Sequence, residues 1–451
     1  MDGIKTTDFL GNAIYDTPDP DLLADLGFDV IMKDIVKDGK DLRIFLDVAS
    51  RKVADPYEAA RRRDILAELV TKRDVCRMLK TMLAAPSKMI ADYTHGKGNG
   101  GNIKEKLRSA SLLVLRMNAW LHHCSSVVRT FDFVHPTLRS IIDRLVFLAE
   151  SDELSDITSL CDTVIKRGIP NEPYCLCYEL DSAGEVISAD ISLSADEVTH
   201  DKTKSFDVSS LEMPALCHIT TLLESFAYSV SDEFSQIVSA FRYFSAAIDY
   251  VEYLETKGVN YSFVQLYRDC PISLTKYYPL ELLKSKKISK IRPIDFQTKM
   301  VGFSATVSGE KGSGRSVFAR AMATAALLSH IGLPVPAESA VMPFFKGVKV
   351  IAMYPGSHLW AENTADRLIK LLDEMNTFTA KGNMSYFVMC DGILDYSAYD
   401  GNRDLHTEFF RSMMMRRDTI LDVLDNELPE FRQIEITMKK DHSFKMKNLL
   451  L

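Results

Sequence analysis

Met300-Val-Gly-Phe-Ser-Ala-Thr-Val-Ser-Gly-Glu-Lys-Gly-Ser-Gly-Arg-Ser-Val-Phe-Ala-Arg320 decides how this chain is read. An apolar, β-favouring run from Val301 to Val307 enters a glycine-rich loop, Gly309 to Ser316, and an Ala-rich helix follows. Strand, glycine-rich turn and helix N-terminus is the order of a phosphate-binding P-loop, whose pattern is G-x-x-x-x-G-K-[ST]. Gly309 and Gly314 have the required spacing, Ser316 closes the pattern, and Arg315 stands where Lys is expected. Glycines let the backbone curl so that N–H groups point inward. The following helix adds its unpaired N–H groups and positive dipole end. The candidate nucleotide-binding residues are therefore Gly309, Gly312, Ser313, Gly314, Arg315 and Ser316, with the Ser316 hydroxyl a ligand for Mg²⁺. Arg315 keeps the charge of Lys but not its shape, because a planar guanidinium does not fill an ammonium's slot.

Around that stretch lie 451 residues, enough for two or three domains and a large core. The net charge of −8 argues against a general nucleic-acid-binding surface, though not against a local basic patch. The eight cysteines include no CxxC, so neither a redox motif nor a zinc ribbon is indicated. The N-terminus lacks the build of a signal peptide, and no apolar run approaches membrane-spanning length. A soluble, reducing, cytoplasmic setting without membrane contact is the expectation.

Ahead of the loop the chain reads as helical. Residues 1 to about 50 suggest an irregular lead-in with short elements. Asp55-Pro-Tyr-Glu58 is a helix start, and Ile65, Leu66, Leu69 and Val70 recur after it at helical spacing. Arg61, Arg62 and Arg63 read as a solvated helix face in preference to a nucleic-acid contact. His95 to Asn102 is a glycine-rich connector, and His122 and His123, adjacent on a helix, do not share a face for a metal. Helical patterns cover 103–130, 136–150 and 153–167. A β-hairpin is predicted at 174–192, and a helix of some forty residues follows it from 214 to 257.

Strand-like segments then alternate with helices (Tyr261 to Leu266, Met300 to Val307, Val348 to Met353), which indicates an α/β domain. Ser385-Tyr-Phe-Val-Met-Cys-Asp391 is an apolar strand ending in an acid. On a strand beside that of the glycine-rich loop, Asp391 would hold Mg²⁺ through water; an Asp that merely ends a buried strand fits the segment equally well.

The second half resembles the ATPase domain of the MutS mismatch-repair family. Lys276-Tyr-Tyr-Pro-Leu280 is similar to its Arg-His-Pro-Val element, and Ile291-Arg-Pro-Ile-Asp-Phe296 to the loop ahead of its P-loop strand. His330-Ile-Gly-Leu-Pro-Val-Pro-Ala-Glu338 resembles its Gln-Ile-Gly-Ser-Phe-Val-Pro-Ala-Glu, and Leu372-Asp-Glu-Met375, Asp391 and Asp400-Gly401 stand at further motif positions. Asp55 to Val70 and the 214–257 helix resemble the family's core and lever. The resemblance implies an α-helical core and lever domain over 1–258, with a β-hairpin insert near 174–192, followed over 259–451 by an α/β, ABC-like P-loop ATPase domain. It implies ATP or ADP with Mg²⁺ held by Ser316 and Asp391, double-stranded DNA as a partner, and a homodimer or another protein partner. The family's N-terminal mismatch reader has no counterpart.

The departures concern hydrolysis. The family's catalytic Glu follows the Asp391 position, and Gly392 occupies that slot; glycine cannot polarise a water. Gly356 to Leu368 lacks the signature loop's Gly-Gln-Ser core, and Ile420-Leu-Asp-Val-Leu-Asp425 lacks the switch His. No catalytic residue is assigned. Three readings stand: a MutS-like protein that binds nucleotide with little or no hydrolysis and acts with DNA or a partner chain; a scaffold that has lost nucleotide and DNA; and a working ATPase with unorthodox residues.

Overall fold

The computed structural model describes residues 6–10, 19–51, 56–96, 103–167, 175–180, 186–192, 213–267, 270–345, 347–352, 386–391, 419–423 and 433–449. The irregular lead-in expected from the sequence is helical where described: α1 (Thr6–Leu10), α2 (Pro20–Asp25), α3 (Phe28–Ile35) and α4 (Gly39–Ala49). Aspartates set two of these starts. Asp19 accepts from the Leu22 N–H at 3.2 Å, and Asp38 from those of Lys40 and Asp41 at 2.8 and 3.2 Å. Such caps satisfy donors that a first helical turn leaves without partners. α5 (Pro56–Thr71) starts at the expected proline and is followed by α6 (Arg73–Leu83), α7 (Ala85–Gly96), α8 (Ile103–Val128), α9 (Pro136–Ala149) and α10 (Asp152–Arg167). β1 (Cys175–Leu180) and β2 (Val186–Ser192) pair antiparallel as the predicted hairpin, and α11 (Met213–Thr256) is the long helix.

The chain divides into two compact units. One unit holds Met1–Thr6 and Arg77–Phe241, the other Thr7–Cys76 and Arg242–Leu451. Long-range pairs join the two stretches of the second unit. Arg242 pairs with Asp41 at 2.9 Å, and Arg73 grips Glu255 with both terminal nitrogens at 2.8 and 2.6 Å.

In the first unit, α8 lies beside α7, α9 and α10. Trp120 donates to the Met82 carbonyl at 3.0 Å and meets Phe234 edge-on at a centroid distance of 5.1 Å. Arg144 holds Glu233 at 2.8 and 3.0 Å, and Tyr93 donates to Glu224.

In the second unit, β3 (Gln265–Tyr267), β4 (Ser273–Tyr277), α12 (Leu280–Ser285), a 3₁₀ turn (Ile288–Lys290), β5 (Ile294–Gln297), β6 (Ser304–Gly309), α13 (Arg315–His330), β7 (Ser339–Pro343), β8 (Val348–Ala352), β9 (Phe387–Asp391), β10 (Thr419–Val423), β11 (Ile434–Met438) and β12 (Phe444–Asn448) follow in order. They form a six-stranded sheet, β12-β11-β6-β10-β9-β8, parallel except for the β11–β12 hairpin, and a four-stranded sheet, β3-β7-β4-β5. This is mixed α/β architecture around a mostly parallel sheet. β9 is buried along its whole length, and so is α13 from Phe318 onward except at Arg320. Such burial fits a central strand and a helix enclosed on all sides, and it explains their near-continuous apolar composition.

The stretch His330–Glu338 links these layers. Tyr243 and Tyr250, two turns apart on α11, donate to the carbonyls of Ile331 and Pro334, the latter at 3.1 Å. Ser262 and Val335 exchange backbone bonds, Tyr278 donates its N–H to Pro336, and Glu338 donates its N–H to Thr275. Arg62 is 0 % exposed, its Nε donating to the Leu10 carbonyl at 2.8 Å. The solvated face expected for Arg61 to Arg63 therefore fails at Arg62. Ala59, Ile65, Leu66 and Leu69 are buried, and helical spacing puts position 62 on their face. His330 stays neutral: burial, then the nearby Arg62 charge, pushes its pKa down to about 3, while its Nε2 accepts the Phe345 N–H at 3.1 Å.

Gly332 has φ +79° and an added Cβ would stand 2.7 Å from the Arg62 Cβ, whereas Gly258 has φ +71° with open space around it. Gly332→Ala should therefore lower stability by more than the roughly 1–2 kcal/mol of left-handed strain expected for Gly258→Ala, as read from urea unfolding midpoints. For His330 the folded pKa is depressed, so the unfolded chain binds the proton first. Stability should fall as pH drops below about 6.5 towards about 3, by up to about 1.4 kcal/mol per pH unit from this residue. Unfolding curves at several pH values should show a shallower decline in His330→Gln.

Candidate functional site

β6, β8, β9 and β10 run in one direction, so their carboxyl ends share one edge of the sheet. From β6 the chain passes to β8, β9 and β10 on one side and then crosses to β11 on the other. Ligands of open parallel sheets sit outside the carboxyl ends at such a reversal. Gly309 delivers the chain to that edge with φ +143°, and a Cβ there would lie 2.5 Å from the Met438 carbonyl oxygen and 2.8 Å from Ser313 Oγ. Gly312 and Gly314 follow with φ +83° and +96°. These are left-handed conformations that glycine adopts without a side-chain penalty. Ser313 N–H closes the turn on Glu310 O at 3.0 Å, and α13 begins at Arg315 behind Gly314, which has no side chain to cap it. The first-turn amides of α13 thus keep their positive end towards the turn.

The tip of the β11–β12 hairpin lies against this turn. His442 (φ +61°) has its Nδ1 3.0 Å from Ser313 O, Lys440 pairs with Glu310 at 2.6 Å, and Asp441 pairs with Arg292 at 3.1 Å. Bonds from Ser443, with Arg292 and Lys439 adding charge, hold the Asp441 carboxyl below the usual carboxylate range.

A cavity of about 420 Å³ opens here. Lys311, Gly312, Ser313, Gly314, Arg315 and Ser316 line one part, and so five of the six predicted binding residues meet at it; Gly309 stands behind the turn. A separate segment brings Lys286, Lys290 and Arg292, and the hairpin brings His442. Leu282, Ile291, Phe318 and Met438 supply apolar surface, and no carboxylate is among the described residues that line the cavity. Ser313 Oγ is fully buried and makes no hydrogen bond among the described residues. Sequence reasoning missed Lys286, Lys290, Arg292 and His442. The basic run Lys284-Ser-Lys-Lys-Ile-Ser-Lys-Ile-Arg292 was a signal for the first three; His442, at a hairpin tip, gave none.

Asp391 ends β9 and is nearly buried, but its strand is not beside β6. β10 intervenes, with Val423 paired both to Asp391 and to Val307. Asp391 is therefore level with Val307, two strands and about 10 Å across the sheet. Asp422 on β10 is also buried and pairs with Cys390, so its side chain belongs to the other face. Burial first, then Asp422 and Asp391, raises the Cys390 thiol pKa and keeps it a thiol. No group of three or more His, Cys, Asp or Glu among the described residues could hold a metal. Of the two expected Mg²⁺ ligands, Ser316 lines the cavity and Asp391 does not, though both are oxygen donors of the kind Mg²⁺ takes. Gly356 to Leu368, Leu372 to Met375, Gly392 and Asp400-Gly401 lie outside the described residues.

No protein-family model matches this chain, and no curated protein matches it. No helix among the described residues is long and apolar enough to cross a membrane.

The two glycines of the turn should respond differently to Ala. Gly309→Ala collides with the Met438 backbone, while Gly312→Ala meets open space and carries only strain of roughly 1–2 kcal/mol. Hydrogen exchange should show lost protection at Met438 and the hairpin tip in the first variant and little change there in the second.

Proposed function

We propose that the second unit is a P-loop-type nucleotide-binding domain of a MutS-like protein, which binds ATP or ADP with Mg²⁺ and hydrolyses it slowly or not at all. The observation that carries this reading is the cavity at the α13 N-terminus. It gathers Lys286, Lys290, Arg292, Lys311 and Arg315, with no carboxylate among the described lining residues, in a chain whose net charge is −8. Cations collected against the chain's overall sign suit a polyanion. Turn amides and first-turn amides of α13 would bind phosphate oxygens, Arg315 would neutralise the outer charge, and the apolar side chains would cover the base. Mg²⁺, when bound, would neutralise phosphate charge; Ser316 and Asp391 are the residues to hold it.

Gly392 offers no group to orient or polarise water, so the reading is of binding that switches a state, not of turnover. The family resemblance adds a DNA-directed role, with double-stranded DNA and a second copy or another protein as partners. Calorimetric and thermal-shift titration with ATP and ADP, with and without Mg²⁺, tests the reading. A ligand at a hundredfold excess over its Kd should stabilise the fold by about 2.7 kcal/mol. Ser316→Ala should abolish the Mg²⁺ dependence, and Arg315→Ala should weaken binding by about tenfold or more, the scale of a lost charge-assisted contact. No stabilisation at millimolar nucleotide would overturn the reading and leave a scaffold. Duplex binding that falls steeply with salt, measured in each nucleotide state, tests the DNA role.

A further inference from the structure

The glycine-rich turn uses only part of the charge in the cavity. Lys311 and Arg315 belong to the turn and the helix start, where a polyphosphate would lie. Lys286, Lys290 and Arg292 come from a separate segment, the residue closing α12, the 3₁₀ turn and the approach to β5. Apolar side chains, among them Leu282 and Ile291, share that part of the lining. Arg292 is paired with Asp441, but Lys286 and Lys290 make no ion pair among the described residues. One polyphosphate on the turn does not account for a second group of cations on another element. Ser313 adds a buried hydroxyl without a partner among the described residues at the turn itself.

Resting on the nucleotide reading above, we propose that this site takes a nucleotide with two separate anionic groups: a 5′-phosphate chain on the glycine-rich turn and a phosphate ester on the ribose, met by Lys286 and Lys290. Arg292, held by Asp441, would border the second group. Ligands of this class are nucleoside 3′,5′-bisphosphates and larger molecules that carry that unit. A phosphate ester carries close to two negative charges near neutral pH, which two ammonium groups with rotatable donors can match.

Two isomers isolate the second position. Adenosine 5′-diphosphate and adenosine 3′,5′-bisphosphate carry the same number of phosphates and differ in where the second one sits. AMP is the common reference, and calorimetry on the full chain gives the three Kd values. The proposal expects the 3′,5′-bisphosphate to bind at least tenfold tighter than AMP. In Lys286→Gln/Lys290→Gln that gain should shrink to under twofold, while the ratio of ADP to AMP affinity is retained. Both lysines are exposed, and an unchanged melting temperature of the free variant would establish that it folds. ADP binding with a bisphosphate no tighter than AMP would sink the second position and leave the nucleotide reading standing. A gain that survives in the double variant would also sink it. Failure of every nucleotide to bind would instead remove the reading on which it rests.

Discussion

Peptide carbonyls that turn inward between α13 and β7 constrain the whole second unit. Ile331 and Pro334 are buried, and their oxygens need donors that water cannot supply. Tyr243 and Tyr250 provide them from one face of α11, so the helix can sit in only one register along the 330–338 stretch. The same stretch is tied to β4 through Thr275 and to the segment ahead of β3 through Ser262. Arg62 fills the space that Gly332 leaves by having no side chain, and its guanidinium carries the α1 end with it. A helix, the four-stranded sheet and the N-terminal helices thus meet over a few backbone groups. The other end of α13 is the glycine-rich turn, so the helix bearing the candidate site is held firmly at its far end.

Charge is arranged differently at the two ends of α13. At the carboxyl end Arg62 is enclosed and His330 is kept neutral beside it, an economy of one buried charge where two would repel. At the amino end, the cations of the cavity remain in contact with solvent, and no carboxylate is among the described lining residues. Of the acids nearby, Glu310 pairs with Lys440, and Asp441 pairs with Arg292, itself one of the cavity's cations. The hairpin tip therefore does two things at once. It braces the turn through His442 and keeps the nearest carboxylates turned to their own partners.

Periodic and punctuated features were legible in the sequence. The helices α8 to α11 and the β1–β2 hairpin follow from apolar spacing and a glycine turn, which act locally. The turn at Gly309 to Gly314 was legible because only glycine tolerates those dihedrals at such spacing. What escaped was set by contacts between distant segments. Arg62 looked like one of three surface arginines, since charge alone does not say which residue lies on the face of Ala59 and Leu66. Strand order was equally hidden: an apolar run ending in Asp391 is the same string whether its neighbour is β6 or β10. The cations at 286, 290 and 292 lay in plain view but acquire meaning only when the fold brings them to Ser313.

The second unit is interrupted in the chain, with residues 77–241 inserted between its two parts. During synthesis α5 leaves the ribosome long before α11 and the 330–338 stretch that cover it. At roughly 5–20 residues per second, the apolar face of Ala59, Ile65, Leu66 and Leu69 waits roughly ten seconds or more for its native cover. The inserted unit can close within that interval, because all of it has been made by residue 241. The N-terminal helices cannot. The newborn chain thus passes through a stage in which a finished bundle trails an unfinished arm, and a chaperone that shields apolar helices would act on that arm first.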